Sequence, residues 1–212
     1  SHKEIFIDPD PDPQTSFEER TRLFSAKNGS WSAYNKKLIS KGGGVFLRSQ
    51  KSIELNPEIK KMLGTTKKAM SGEELAKRVL MMKVDMLFNG GVGTYVKSSD
   101  ESNLDLGDKQ NEAVRLDAHE VKAKVVCEGG NLGFTQKARI EYAKNGGEIN
   151  IDGIDNAAGV NTSDHEVNLK ILLNIIKSKD LLDEEEANQI LQNLTEQVDR
   201  KSTRLNSSHV AL

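Results

Sequence analysis

Val125-Val126-Cys127-Glu128-Gly129-Gly130-Asn131-Leu132-Gly133-Phe134-Thr135 decides how this chain folds. A short apolar run ends, a glycine-rich loop follows, and Thr135 offers a capping oxygen to a helix reaching about Lys144. Asn145-Gly146-Gly147 stops that helix, and Glu148 to Ile151 reads as the next strand. Strand, loop, helix and strand at this spacing form a βαβ unit.

The same grammar recurs upstream. Ser71-Gly72-Glu73-Glu74 reads as a capping box that opens a helix carrying Leu75, Val79 and Leu80. Val84 to Phe88 is a short buried strand that runs into Asn89-Gly90-Gly91-Val92-Gly93-Thr94. Residues 108–120 are predicted to form an amphipathic helix with Ala113, Val114 and Leu116 inward. Strands alternating with helices predict an α/β fold, a parallel sheet with flanking helices. Ligands of such sheets bind beyond the carboxyl ends of the strands. Loops 89–93, 129–133 and 152–162 all follow strands, so three loops converge on one edge.

Outside this region the signals are plainer. Residues 4–7 read as a strand, 16–24 as a short helix, and Val45-Phe46-Leu47 as a strand after the Gly42-Gly43-Gly44 turn. Asp8-Pro9-Asp10-Pro11-Asp12-Pro13 is a stiff acidic connector, because each proline pushes the preceding residue out of the α region. Ser163-Asp164-His165-Glu166 reads as a second capping box, opening a long helix with Val167, Leu169, Ile171, Leu172, Ile175 and Ile176 apolar. Asp183 to Glu186 opens a last helix, its acidic first turn suiting the helix dipole.

The composition narrows the function. Lys plus Arg number 30 against 32 Asp plus Glu, a formal charge of -2. That balance predicts no nucleic-acid footprint. No apolar run approaches the roughly 20 residues a membrane span needs, so no membrane role is expected. The single cysteine, Cys127, and the missing secretory signal fit a cytoplasmic setting. The chain lacks a starting Met and opens inside a strand pattern, so it reads as part of a longer protein. Residues 200–212 have no apolar period and read as a non-native or disordered tail.

The loop after Cys127 approaches the dinucleotide fingerprint without matching it. Glu128 stands where the first glycine belongs, and its carboxylate is expected to repel a phosphate. The loop also comes late in the domain, so the pyrophosphate reading is rejected. Taken alone, it fits a structural turn as well as a ligand loop in which Asn131 donates and accepts. Asp152-Gly153-Ile154-Asp155-Asn156-Ala157-Ala158-Gly159-Val160 crowds small residues around one amide, as a flat ligand would need, but does not match a calcium loop. His165 lacks partners at zinc spacing, so no metal is expected. Ser163 reads first as a helix cap.

Four stretches together carry a resemblance. They are Ile5-Phe6-Ile7-Asp8-Pro9-Asp10-Pro11-Asp12-Pro13, Asn89-Gly90-Gly91-Val92-Gly93-Thr94-Tyr95-Val96-Lys97, Glu128 to Gln136, and Asp155 to Asn168. In this order they resemble the large bacterial NAD-specific glutamate dehydrogenases, from residue 1 to about 198. The resemblance implies a Rossmann-like sheet, incomplete at its N-terminal side, over residues 1–162, with helices 163–199 packing on it. It implies NAD as cofactor and L-glutamate or 2-oxoglutarate as substrate, in a homo-oligomeric enzyme. Asn89, Gly90, Gly91, Glu128, Gly129, Asn131 and Asn156 would lie along the cofactor, and Ser163 would contact the substrate carboxylate. The phosphate loop and the catalytic lysines are expected upstream, so no catalytic residue is assigned. Another amino-acid dehydrogenase of this fold, or a non-catalytic nucleotide-binding module, are the alternatives.

Overall fold

The computed structural model describes residues 3–26, 29–91 and 93–209, with side chains left out at 157, 158 and 199–209. Val92, part of the first glycine loop, lies outside the described residues.

β1 (Glu4–Ile7) leads into α1 (Pro13–Phe24), which starts where the Asp-Pro run ends. Asp12 caps it by accepting from Thr15 N at 2.8 Å, and Pro13 takes the first helical position, where its missing N–H costs nothing. Asp8 Oδ1 accepts from Ser40 N at 3.0 Å, so the acidic connector is used structurally at both ends. β2 (Gly44–Leu47) pairs antiparallel with β1. This pair stands apart from the parallel sheet. Gly42, at φ +82°, makes the turn before β2. Phe6, Trp31 and Tyr34 cluster beside the pair, with Phe6 and Trp31 stacked at 4.8 Å and Arg20 over both rings.

β3 (Ile53–Glu54), α2 (Pro57–Leu63), β4 (Ala69–Met70) and α3 (Gly72–Leu80) complete the first core. It packs Ile7, Ile53, Leu55, Ile59, Met70 and Leu75. Ser71 caps α3 as its sequence predicts, accepting from Glu74 N at 3.1 Å. Leu75 and Val79 face this core, whereas Leu80 reaches the second.

The second core carries the site. β5 (Met86–Asn89) is followed by the short parallel pair β6 (Val96–Lys97) and β7 (Leu116–Asp117). β8 (Val125–Glu128), α4 (Gln136–Lys144) and β9 (Glu148–Ile149) form the predicted βαβ unit. β5, β8 and β9 make one parallel sheet in that order. Thr135 caps α4, accepting from Ala138 N at 3.0 Å. Ala138 and Tyr142 pack onto Val126, and the Tyr142 hydroxyl donates to Ala123 O at 2.6 Å. Phe134 is 1% exposed. Burying a side chain of this size stabilises by roughly 1.5–3 kcal/mol.

The helix expected over 108–120 does not form. That stretch holds short 3-10 turns and β7 instead. Val114, Leu116 and Ala118 are all buried, a period of two rather than 3.6. Arg115 between them is also buried, donating to Thr94 O and Asn103 Oδ1. Ala113, Val114 and Leu116 also fit one face of a helix, which is why the sequence alone favours a helix here.

α5 (Asp152–Asp155) is a single turn, and α6 (Ala157–Lys177) begins directly after Asn156. The helix therefore starts six residues before Ser163, not at it. Ala-Ala opens α6 readily, and no proline or strong stop lies between Ala157 and Ser163. α7 (Glu184–His209) packs on α6, and Leu173 on α6 and Ala187 on α7 are both buried. Val167, Ile171, Leu172 and Ile175 on α6 are each more than half exposed, as are Met86 and Phe88 on β5. No helix among the described residues is long and apolar enough to cross a membrane.

Candidate functional site

β5 and β8 end together. Asn89 faces Glu128 in the parallel register, so the loops that follow leave the sheet at one edge. Gly129 N donates to Asn89 O at 2.8 Å, and Gly91 N reaches Asn89 Oδ1 at 3.4 Å. The two loops touch backbone to backbone. A Cβ on Gly130 would lie 2.1 Å from Gly91 O, and one on Gly133 would lie 1.9 Å from Asn89 Nδ2. Close approach, rather than a positive φ, is what demands glycine here.

The third loop joins them. Asn156, between α5 and α6, donates from Nδ2 to Asn131 Oδ1 at 2.6 Å. Asp152 Oδ2 accepts from Leu132 N at 2.8 Å, and Asp155 Oδ2 accepts from Glu128 N at 3.1 Å. Leu132 sits at φ +54° with its side chain 58% exposed. That conformation costs a non-glycine residue roughly 1–2 kcal/mol, which the Asp152 bond helps to hold.

Glu128 corrects an electrostatic expectation. Its carboxylate does not face the loop mouth; the residue is 0% exposed. Arg139 Nε donates to Oε2 at 2.7 Å, and Phe134 N donates to Oε1 at 2.8 Å. A neutralised, inward carboxylate does not repel an anion at the loop surface, so that ground for rejecting a phosphate falls. Cys127 lies beside Asp155. Burial first, and then the Asp155 charge, push its thiol up, so it stays protonated at neutral pH.

Of the residues singled out, Asn89, Gly91, Glu128, Gly129, Asn131 and Asn156 are drawn into one cluster. Gly90 lies in the same loop, against the Phe88 ring. Ser163 stands apart, exposed on α6 and seven residues past Asn156, about 10 Å along the helix axis. The residues sequence reading missed are Arg139, Asp152 and Asp155. Arg139 had one legible signal: a cation in the first turn of a helix opposes the helix dipole and calls for an anionic partner. A cleft of about 910 Å³ lies elsewhere, among Lys3, Arg48, Lys51, Ser71, Tyr95 and Gln110, and includes none of the eight candidates.

The Asn131–Asn156 bond uses one carbonyl and one amide N–H. It leaves the NH₂ of Asn131, an exposed residue, and the carbonyl of Asn156, which lies over Gly159 where a Cβ would come within 2.4 Å of it. Such a pair complements a carboxamide, and the side of Gly91 is open where a Cβ would stand. The residues thus suit the amide end of a nicotinamide.

Fold and loops together define an α/β domain whose parallel sheet gathers three loops at its carboxyl edge, the edge where sheets of this kind take their ligands. Residues 1–211 match the family model described as "Bacterial NAD-glutamate dehydrogenase, catalytic domain", and the chain belongs to that family. It is 51% identical over 198 residues to the NAD-specific glutamate dehydrogenase of Pseudomonas aeruginosa and 50% identical over 198 residues to that of Halomonas elongata. Identity to the Mycobacterium tuberculosis protein of the same name is 45% over 203 residues. Each match covers 93% of this chain and 12% of the relative, so the chain spans about one eighth of the length of these proteins.

Proposed function

We propose that this chain is the nicotinamide-side part of an enzyme that oxidises L-glutamate with NAD and water to 2-oxoglutarate, ammonium and NADH. The observation that carries the reading is the Asn131–Asn156 hydrogen bond, which joins two strand-end loops at the ligand edge of the sheet. The names of the relatives support NAD and glutamate as the ligands.

NAD, when bound, supplies the hydride acceptor; the protein's share is orientation. Asn131 and Asn156 would hold the carboxamide. Gly91, Gly129 and Gly130 would let the cofactor approach the backbone of both loops. Glu128 braces the loop from within, and Asn89 and Gly90 line its upstream side. Ser163 binds the substrate carboxylate. The groups that transfer protons belong to the rest of the enzyme, which we place in the cytoplasm as a homo-oligomer.

Two results are expected. The purified 212-residue chain forms no NADH from NAD and glutamate, because the phosphate loop and substrate lysines lie outside it; glutamate-dependent NADH production would contradict this. In the intact enzyme, Ser163→Ala raises KM for glutamate roughly tenfold, the effect of losing about 1.4 kcal/mol of hydrogen bonding to a charged group, and leaves KM for NAD within about twofold. An equal rise in both would remove Ser163 from the substrate site. Assays with leucine and valine alongside glutamate separate this reading from another amino-acid dehydrogenase.

A further inference from the structure

We infer that Arg139 is a positioning residue for the nicotinamide, a clamp that sets the distance between the two loops carrying Asn131 and Asn156. The inference rests on the function proposed above.

Arg139 lies in the first turn of α4 and is 6% exposed. Its Nε donates to Glu128 Oε2 at 2.7 Å, on the loop that carries Asn131. Its Nη2 lies 3.1 Å from Asp152 Oδ1, at the start of the turn that carries Asn156, a charge contact whose angles do not make a hydrogen bond. Its Nη1 donates to Gln136 Oε1 at 3.1 Å, which fixes the plane of the guanidinium. One planar guanidinium therefore touches both loops, the first by a hydrogen bond and the second by charge. Each carboxylate in turn holds backbone: Glu128 takes Phe134 N, and Asp152 takes Leu132 N. Asn131 lies three residues past Glu128, whose own N–H is held by Asp155 Oδ2, and immediately before the anchored Leu132 amide. Its bond to Asn156, at 2.6 Å, closes the ring.

Lysine cannot copy this. An ammonium is a point charge with no planar fork, so it satisfies one carboxylate and releases the other. A displacement of the order of 1 Å at such a site costs about a hundredfold in rate. The clamp touches neither cofactor nor substrate, so its loss is expected to act through Asn131.

The test uses the intact enzyme with Arg139→Lys, Asp152→Asn, Asn131→Ala and the Arg139→Lys/Asn131→Ala double variant. KM for NAD and for glutamate are read from initial rates, and NADH binding from nucleotide fluorescence. Arg139→Lys is expected to raise KM for NAD at least tenfold with KM for glutamate within about twofold, and Asp152→Asn to move it the same way. The double variant is expected to be little worse than Asn131→Ala alone, because the two residues act through one contact. If Arg139→Lys fails to fold, Asp152→Asn carries the test. Unchanged KM for NAD in a folded Arg139→Lys or Asp152→Asn enzyme, while Asn131→Ala raises it, overturns the clamp and leaves the cofactor site standing. Unchanged KM for NAD in Asn131→Ala overturns the site reading and the clamp with it. Full additivity in the double variant also overturns the clamp, because Arg139 would then act elsewhere.

Discussion

Gly130→Ala in the intact enzyme is expected to lower kcat/KM for NAD about a hundredfold, the cost of moving a positioning loop by the order of 1 Å. The added Cβ would stand 2.1 Å from Gly91 O and 2.9 Å from its carbonyl carbon. Both are backbone atoms, so no rotamer change relieves the clash. The loop after β8 must move away from the loop after β5. Asn131 follows immediately and loses its register with Asn156. Gly44→Ala is the control: its new methyl meets Phe46 Cζ at 3.4 Å, an ordinary contact, on a strand remote from the sheet edge. Steady-state rates for both variants check the claim. A Gly130→Ala enzyme with normal kcat/KM for NAD would mean that the two loops need not touch.

Arg139→Met is expected to open the β8–α4 region. It leaves the Glu128 carboxylate at 0% exposure with only one backbone amide for a partner. Removing one member of a buried ion pair costs roughly 3–5 kcal/mol, because the other charge stays desolvated. The reverse change is milder. Glu128→Gln keeps an acceptor for Phe134 N, and Arg139 retains Asp152. Hydrogen exchange is the suitable measurement, since a chain of this length need not unfold in two states. Amides across 125–139 are expected to exchange at least about a hundredfold faster in Arg139→Met, as an opening made easier by ~3 kcal/mol implies. Adding Glu128→Gln should restore part of the protection. Equal protection in wild type and Arg139→Met would show that Glu128 finds water or another partner when Arg139 is gone.

Much of this is legible in the sequence, and the reasons are local. Val125 to Thr135 ends in a glycine loop and a capping threonine, and each signal acts within a few residues; strand, loop and helix followed as read. Ser71 capped its helix for the same reason. Failures came where two periods compete. Val114, Leu116 and Ala118 fit a helix face loosely and a strand face fully, and the buried Arg115 between them disguised the alternation. Ser163 to Glu166 had the letters of a capping box, but a cap is set by where helical dihedrals begin, and they begin at Ala157. The convergence of three loops was readable, because it follows from parallel topology alone. The clamp was not. Arg139 meets Glu128 across 11 residues and Asp152 across 13, and no spacing rule pairs them.

A structure of the intact enzyme with NAD and 2-oxoglutarate bound tests the central claim most directly. The nicotinamide carboxamide is expected within hydrogen-bond reach, about 3 Å, of Asn131 and Asn156, with the ring over Gly129 and Gly130. A nicotinamide bound away from this edge, for instance in the cleft beside Arg48, Lys51 and Tyr95, would contradict it.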